Sequence, residues 1–185
     1  MINQKFCFSM GLVICVTLFL SGCVMPYSPP VQGPLAKIGM LNQNIFSNQN
    51  EIAIFDDPIE CKRRHALGNL AQRWKGEPTP IPANKLVTLD IYHLAGIYDP
   101  QDFPISFFPE ENATYYVSTT NTPKNSMRLT TSMQILKTVK NSDGTVSYIP
   151  VTFIKRKLQI EPFLGGTQCV DEDVQVLLRK KLMES

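Results

Sequence analysis

The alternation of apolar and polar positions along the chain predicts strands over most of its length. "KLVTLDIYHL" (Lys85 to Leu94) places Val87, Leu89 and Ile91 on one side and Thr88, Asp90 and Tyr92 on the other, the period of two that a half-buried sheet requires. "EIAIFDDP" sets Ile52, Ile54 and Asp56 on one face and stops at Asp57-Pro58, a turn dipeptide. "FPISFF" and "ATYYVSTT" read as two short strands around the break "PEEN". A longer pair, "SMRLTTSMQILKTV" and "TVSYIPVTFIKRKLQI", flanks "KNSDGT", where Asp143-Gly144 between β-branched residues signals a hairpin. The region from Cys61 to Lys85 reads as loop, with Arg64 to Trp74 compatible with a short helix. Short strands at this spacing, with prolines in the breaks, predict a mainly β fold: an antiparallel sandwich or partly open barrel.

The pattern changes at both ends. "VDEDVQVLLRKKLMES" puts Val170, Val174, Leu177 and Leu178 on one helical stripe. Acids lead it and Arg179 to Lys181 close it, as the helix dipole favours. Its stripe is expected to join the core, with docking to a partner as the alternative. At the other end, Lys5 precedes an uncharged run from Phe6 to Leu20, followed by Ser21, Gly22 and Cys23. A spanning helix needs about 20 apolar residues; this run is nearer the length of a signal-peptide hydrophobic region with small residues at its cleavage site. "VMPYSPPVQGP" (Val24 to Pro34) is proline-rich and aperiodic, and reads as an extended tether. "LNQNIFSNQN" reads as linker or an early edge strand. The expected division is therefore a leader at 1–22, a tether at 23–50, a β-sandwich domain at 51–169 and a C-terminal helix at 170–185.

The ending "LSGC" resembles the bacterial lipobox. That resemblance implies cleavage after Gly22 and acylation of Cys23 (palmitate among the chains), and the valine at position 24 implies sorting to the outer membrane, on its periplasmic side. The alternative is an uncleaved anchor helix. One acyl chain holds a protein only marginally, whereas two or more anchor it stably.

Composition narrows the partners. The formal net charge is only +2, which argues against nucleic acid, since phosphate binding needs a concentrated basic face. The clusters "KRR" (Lys62 to Arg64) and "KRK" (Lys155 to Lys157) read as solvated faces, with an anionic lipid or glycan as the alternative ligand. Of the five cysteines, Cys7 and Cys15 lie in the leader and Cys23 is the lipidation site. Cys61 and Cys169 are left, and two thiols in an oxidising compartment most simply pair. Zinc is the weaker alternative, because it wants four ligands at close spacing and the chain has only two histidines.

The stretches "IPANKLVTL", "FPISFFPEENATYYVS" and "NSDGTVSYIPV" resemble a loose group of small bacterial lipoprotein domains with PEGA-like or immunoglobulin-like β-sandwich folds. Pro109, Glu110, Tyr115 and Tyr116 fit that group's corner. Asn112 stands where the group often has glycine, and asparagine also tolerates a left-handed backbone. The resemblance implies a sandwich and no particular activity.

No catalytic signature is present. His65 and His93 sit in no nucleophile–base motif and there is no G-x-S-x-G elbow. Asp56, Asp57 and Glu60, with His65 nearby, group acids without the calcium-loop pattern. Trp74 and the aromatic group Phe103, Phe107, Phe108, Tyr115 and Tyr116 read as packing. The expectation is a non-catalytic outer-membrane lipoprotein without cofactor or metal, docking an envelope protein, as an accessory subunit of a secretion or assembly complex. The alternative is a ligand-binding or hydrolytic lipoprotein using the Asp56, Asp57, Glu60 and His65 region.

Overall fold

The structure is a computed structural model that describes residues 25–41, 51–67, 77–94, 100–125, 128–160 and 166–183. The leader, Cys23, Trp74 and residues 42–50 lie outside the described residues. The described residues form β1 (Met25–Pro26), β2 (Leu35–Met40), β3 (Glu51–Asp57), β4 (Lys62–Ala66), β5 (Thr79–Pro82), β6 (Val87–Leu94), β7 (Pro100–Phe107), β8 (Thr114–Asn125), β9 (Arg128–Lys140), β10 (Val146–Val151), β11 (Ile154–Lys155), β12 (Leu158–Ile160), β13 (Thr167–Cys169) and a helix, α1 (Glu172–Met183). A six-stranded sheet runs β1-β4-β3-β6-β7-β11 and a five-stranded sheet runs β10-β9-β8-β2-β5; β12 and β13 make a separate ribbon. The fold is mainly β with a C-terminal helix, as the sequence predicts.

The two large sheets pack face to face. Ile52, Ile54, Leu89, Ile91 and Ile105 of the first meet Ile38, Ile81, Tyr115, Val117 and Ile135 of the second in one buried cluster. Each such side chain contributes about 1.5–3 kcal/mol on burial. At the hairpin, Asn141 N–H donates to Thr145 O and Gly144 N–H to Asn141 O, with Gly144 at φ +83°. That is a turn followed by a left-handed bulge residue, which glycine adopts without steric cost. Asn112 is left-handed as expected, at φ +60°.

Besides the Cys61 to Lys85 stretch, read as loop but holding β4 and β5, four expectations need correction. The segment assigned to the tether contains β2, which sits between β8 and β5 with Ala36 and Ile38 fully buried. Its six residues are bracketed by prolines and amides, which hid a central strand inside a linker-like composition. The predicted long strand from Thr145 to Ile160 is three strands, β10, β11 and β12, each in a different sheet. The polar side of β6 is not solvated, because Thr88 and Asp90 are as buried as Leu89. A further layer covers the outer face of the six-stranded sheet, so Ala53 and Phe55 of β3 are buried together with Ile52 and Ile54.

The helix is the fourth. It begins at Glu172, leaving Val170 outside it, and only Leu178 of the expected stripe is buried. Val174 is half-buried, while Val176, Leu177 and Met183 are exposed. Glu172 and Asp173 open the helix and Lys180 and Lys181 close it, so the dipole argument holds where the stripe argument does not.

Cys61 and Cys169 stand at disulfide distance, with Cα atoms 5.2 Å apart and a sequence separation of 108. Both are buried against Phe55 and Leu158. Mass spectrometry of unreduced protein is expected to recover a peptide joining Cys61 to Cys169. Replacing both with alanine should lower the unfolding free energy by up to about 4.7 kcal/mol, the chain-entropy value for a loop of this size. Two free thiols would contradict the pairing.

Candidate functional site

The three carboxylates of the acidic turn go to three different partners. Asp57 Oδ1 accepts the N–H groups of Ile59 (3.0 Å) and Glu60 (2.9 Å) and so closes the turn after β3, a common use of aspartate. Glu60 pairs with Lys62 at 2.6 Å and Arg179 at 3.0 Å, tying the turn to α1. Asp56 Oδ2 lies 3.0 Å from His65 Nε2 and 3.5 Å from Arg63 Nε. Among the described residues no group of three His, Cys, Asp or Glu side chains could hold a metal ion.

Asp56 and His65 meet because β3 and β4 pair antiparallel with His65 opposite Ile54. β1 adds Met25 beside His65, and Tyr27, two residues on, packs against the core with its hydroxyl buried and unpaired. Burial first, then the Asp56 charge, pushes the Tyr27 phenol up to about 12. A phenol held there stays protonated at neutral pH, so it is a poor nucleophile. A histidine and a carboxylate are thus adjacent, and the third group beside them is the wrong one for covalent catalysis. His93 lies in β6, but its side chain is outside those described.

The basic clusters do not survive as patches. In the first, Arg64 turns onto the outer face of the sheet, where Nε donates to Asp90 Oδ2 (2.8 Å) and Nη1 pairs with Glu51 Oε1 (2.8 Å). In the second, Lys155 and Lys157 are exposed but Arg156 is buried. The aromatic group divides likewise: Phe107 and Tyr115 make an edge-to-face pair at 5.3 Å inside the core, whereas Phe108 lies under Lys181 Nζ at 4.7 Å.

Arg156 organises a buried polar site absent from the sequence expectations. Its Nε donates to Asp171 Oδ2 (2.8 Å) and Nη2 to Asp171 Oδ1 (2.9 Å), a two-pronged pair of the strong type. Nη2 also donates to Ile59 O (2.7 Å), and Nη1 to Pro58 O and Ser106 Oγ (both 3.1 Å). Since Thr88 Oγ1 donates to Pro58 O, the 2.6 Å contact between Thr88 and Ser106 has the serine hydroxyl as donor. Lys157 N–H donates to Asp171 Oδ2 at 3.0 Å. Burial alone would raise the Asp171 carboxyl, but the bonds from Arg156 and Lys157, with the guanidinium charge, outweigh it and hold it below its usual range. Nothing local sets Arg156 apart from its lysine neighbours in sequence. The legible signal was Thr88 and Asp90, polar residues on a strand whose other side is wholly apolar.

Compared with known protein families, curated proteins and solved structures, the chain matches none.

Asp171→Ala leaves a buried guanidinium without its counter-charge and should cost about 3–5 kcal/mol, read from urea unfolding. The pH dependence follows from the depressed carboxyl. Its contribution is present above the unfolded value of 3.8 and is lost as pH falls through the folded value, because the unfolded chain then binds the proton more readily. Wild type should therefore lose stability below that pH more steeply than Asp171→Asn. Equal slopes would remove Asp171 from the account.

Proposed function

We propose that this chain is a lipid-anchored envelope lipoprotein that docks another envelope protein, as an accessory or structural component of a secretion or assembly complex, and performs no chemistry. In this reading Cys23 carries the acyl chains and the mature protein sits on the periplasmic side of the outer membrane. The observation that carries the reading is the fate of the acidic turn. Asp57 closes a turn, Glu60 binds Lys62 and Arg179, and Asp56 pairs with Arg63 and lies 3.0 Å from His65 Nε2. Asp57 and Glu60 are therefore committed to holding the fold, and the Tyr27 phenol, which feels the Asp56 charge, has a raised pKa. Exposed Val176, Leu177 and Met183 on α1 give the docking reading an apolar surface of the kind that marks contact sites.

The lipid anchor and the docking surface are testable separately. Wild-type protein should partition with membranes and begin at an acylated Cys23, while Cys23→Ala should keep its leader; an intact Met1 on membrane-bound wild type refutes the anchor. Detergent-solubilised wild type should then recover an envelope partner that Leu177→Asp fails to recover. His65→Ala should recover that partner undiminished and leave the cellular phenotype intact. A phenotype lost in a folded, correctly located His65→Ala protein would overturn the non-catalytic reading.

A further inference from the structure

Among the described margins, those of β5, β10, β7 and β8 each carry proline at an outward position, and that of β9 does not. Hydrogen-bond parity identifies which groups face outward. Ala83 N–H donates to Pro34 O, so odd-numbered residues of β5 face β2, and Pro80 and Pro82 point to the open side. Asn141 N–H donates to Thr145 O, so odd-numbered residues of β10 face β9 and Pro150 points outward. Arg156 N–H donates to Pro104 O, so Pro100 and Pro104 occupy outward positions of β7. On β8, Leu41 N–H donates to Val117 O, which puts Pro123 on the side away from β9. A proline at such a position lacks the N–H that an incoming strand would need, which is a recognised defence against edge pairing.

The exception is β9. Its ladder with β8 runs from Lys137 to Arg128, but β10 covers it only as far as Ile135, after which the chain crosses to the other sheet as β11. By the same parity Leu129, Thr131 and Met133 turn their N–H and C=O groups to that uncovered side, and among the described residues no strand pairs with them. The stretch contains no proline and no acid. Beside it opens a cleft of about 330 Å³ bordered by Phe103, Ile105, Ser132 and Met133.

We infer that this edge pairs with the same edge of a second copy of the chain, antiparallel about a twofold axis at Thr131. The sequence is self-complementary in that register. Thr131 stands opposite Thr131, Leu129 opposite Met133, Thr130 opposite Ser132 and Arg128 opposite Gln134. Apolar positions meet apolar ones, hydroxyls meet hydroxyls, and no like charges face each other, as favourable cross-strand pairs require. Each outward residue exchanges both of its backbone bonds, and the same patch serves both subunits, the condition for a closed dimer. Position 129 of the second copy falls on the face that borders the cleft beside Met133. The five-stranded sheets of the two copies become one continuous sheet.

This inference does not depend on the docking reading, since its test needs no other protein. Full-length chain in mild detergent should sediment as a dimer. Thr131→Cys places two cysteines at a hydrogen-bonded antiparallel pair with Cα atoms about 5.5 Å apart, within disulfide reach. Mild oxidation should convert most of it to a dimer whose linking peptide joins residue 131 to residue 131. Thr122→Cys, exposed on β8, should remain monomeric. Thr131→Pro removes an N–H that makes no bond to β8, so it should still fold and be monomeric. A monomeric wild type, a folded Thr131→Cys that yields no 131–131 peptide, or a Thr131→Pro that stays dimeric would each overturn the inference.

Discussion

Arg156 has five N–H donors, and every one is taken inside the protein. Two go to Asp171, two to the carbonyls of Pro58 and Ile59, and one to Ser106. The outer layer of the molecule depends on that arrangement. It fixes the turn after β3, the far end of β7, the crossing between β11 and β12, and the residue from which α1 starts. Asp171 gives its backbone carbonyl to Gln175 N–H, the first helical bond, while its carboxylate faces the guanidinium. The helix is thus positioned by a charge at its root more than by its own apolar stripe, of which one residue is buried. A buried ion pair is not in itself strong evidence of stability. Here it does a different task, because a fully satisfied polar cluster admits one arrangement of four chain segments.

The cysteine pair and the polar lock lie next to each other. Cys61 follows the turn whose carbonyls Arg156 grips, and Cys169 precedes Asp171 by two residues. Cys61 and Arg63 hold left-handed backbones at φ +58° and +55°, a conformation that costs roughly 1–2 kcal/mol in a residue with a side chain. The turn tolerates it because Cys61 N–H donates to Asp57 O, Cys169 N–H to Glu60 O and Thr167 Oγ1 to Cys61 O. The kink brings Arg64 onto the outer face and His65 onto the inner one.

What was legible in the sequence follows physical lines. Strands that alternate strictly, such as Val87 to Ile91, reveal their buried side, because one face needs apolar residues whatever covers the other. The Asp143-Gly144 turn and the left-handed Asn112 were readable for a similar reason, since few residues accept those backbone angles. β2 was not, because six residues between prolines carry too short a period to compete with their surroundings. The break of the last predicted strand into three sheets was hidden as well: Arg156 between two lysines looks like solvated charge, and only a partner fifteen residues on explains its burial. The helix stripe misled because 3.6-residue periodicity marks which residues share a face, not whether that face finds a neighbour.

Proximity of the first strand to the proposed lipid site has a mechanical consequence. Met25 and Pro26 pair with His65 and Ala66, and Tyr27 N–H donates to Ala66 O. If acyl chains sit on Cys23, the free leash is the step from 23 to 25, about 7 Å at full extension. A long tether would let the domain wander and tumble; this one leaves it almost no play. With acyl chains there, the margin formed by β1 and β4 would be held at the bilayer surface, with room to pivot and none to rise. A partner would then approach along the membrane plane or come down onto the far side of the domain.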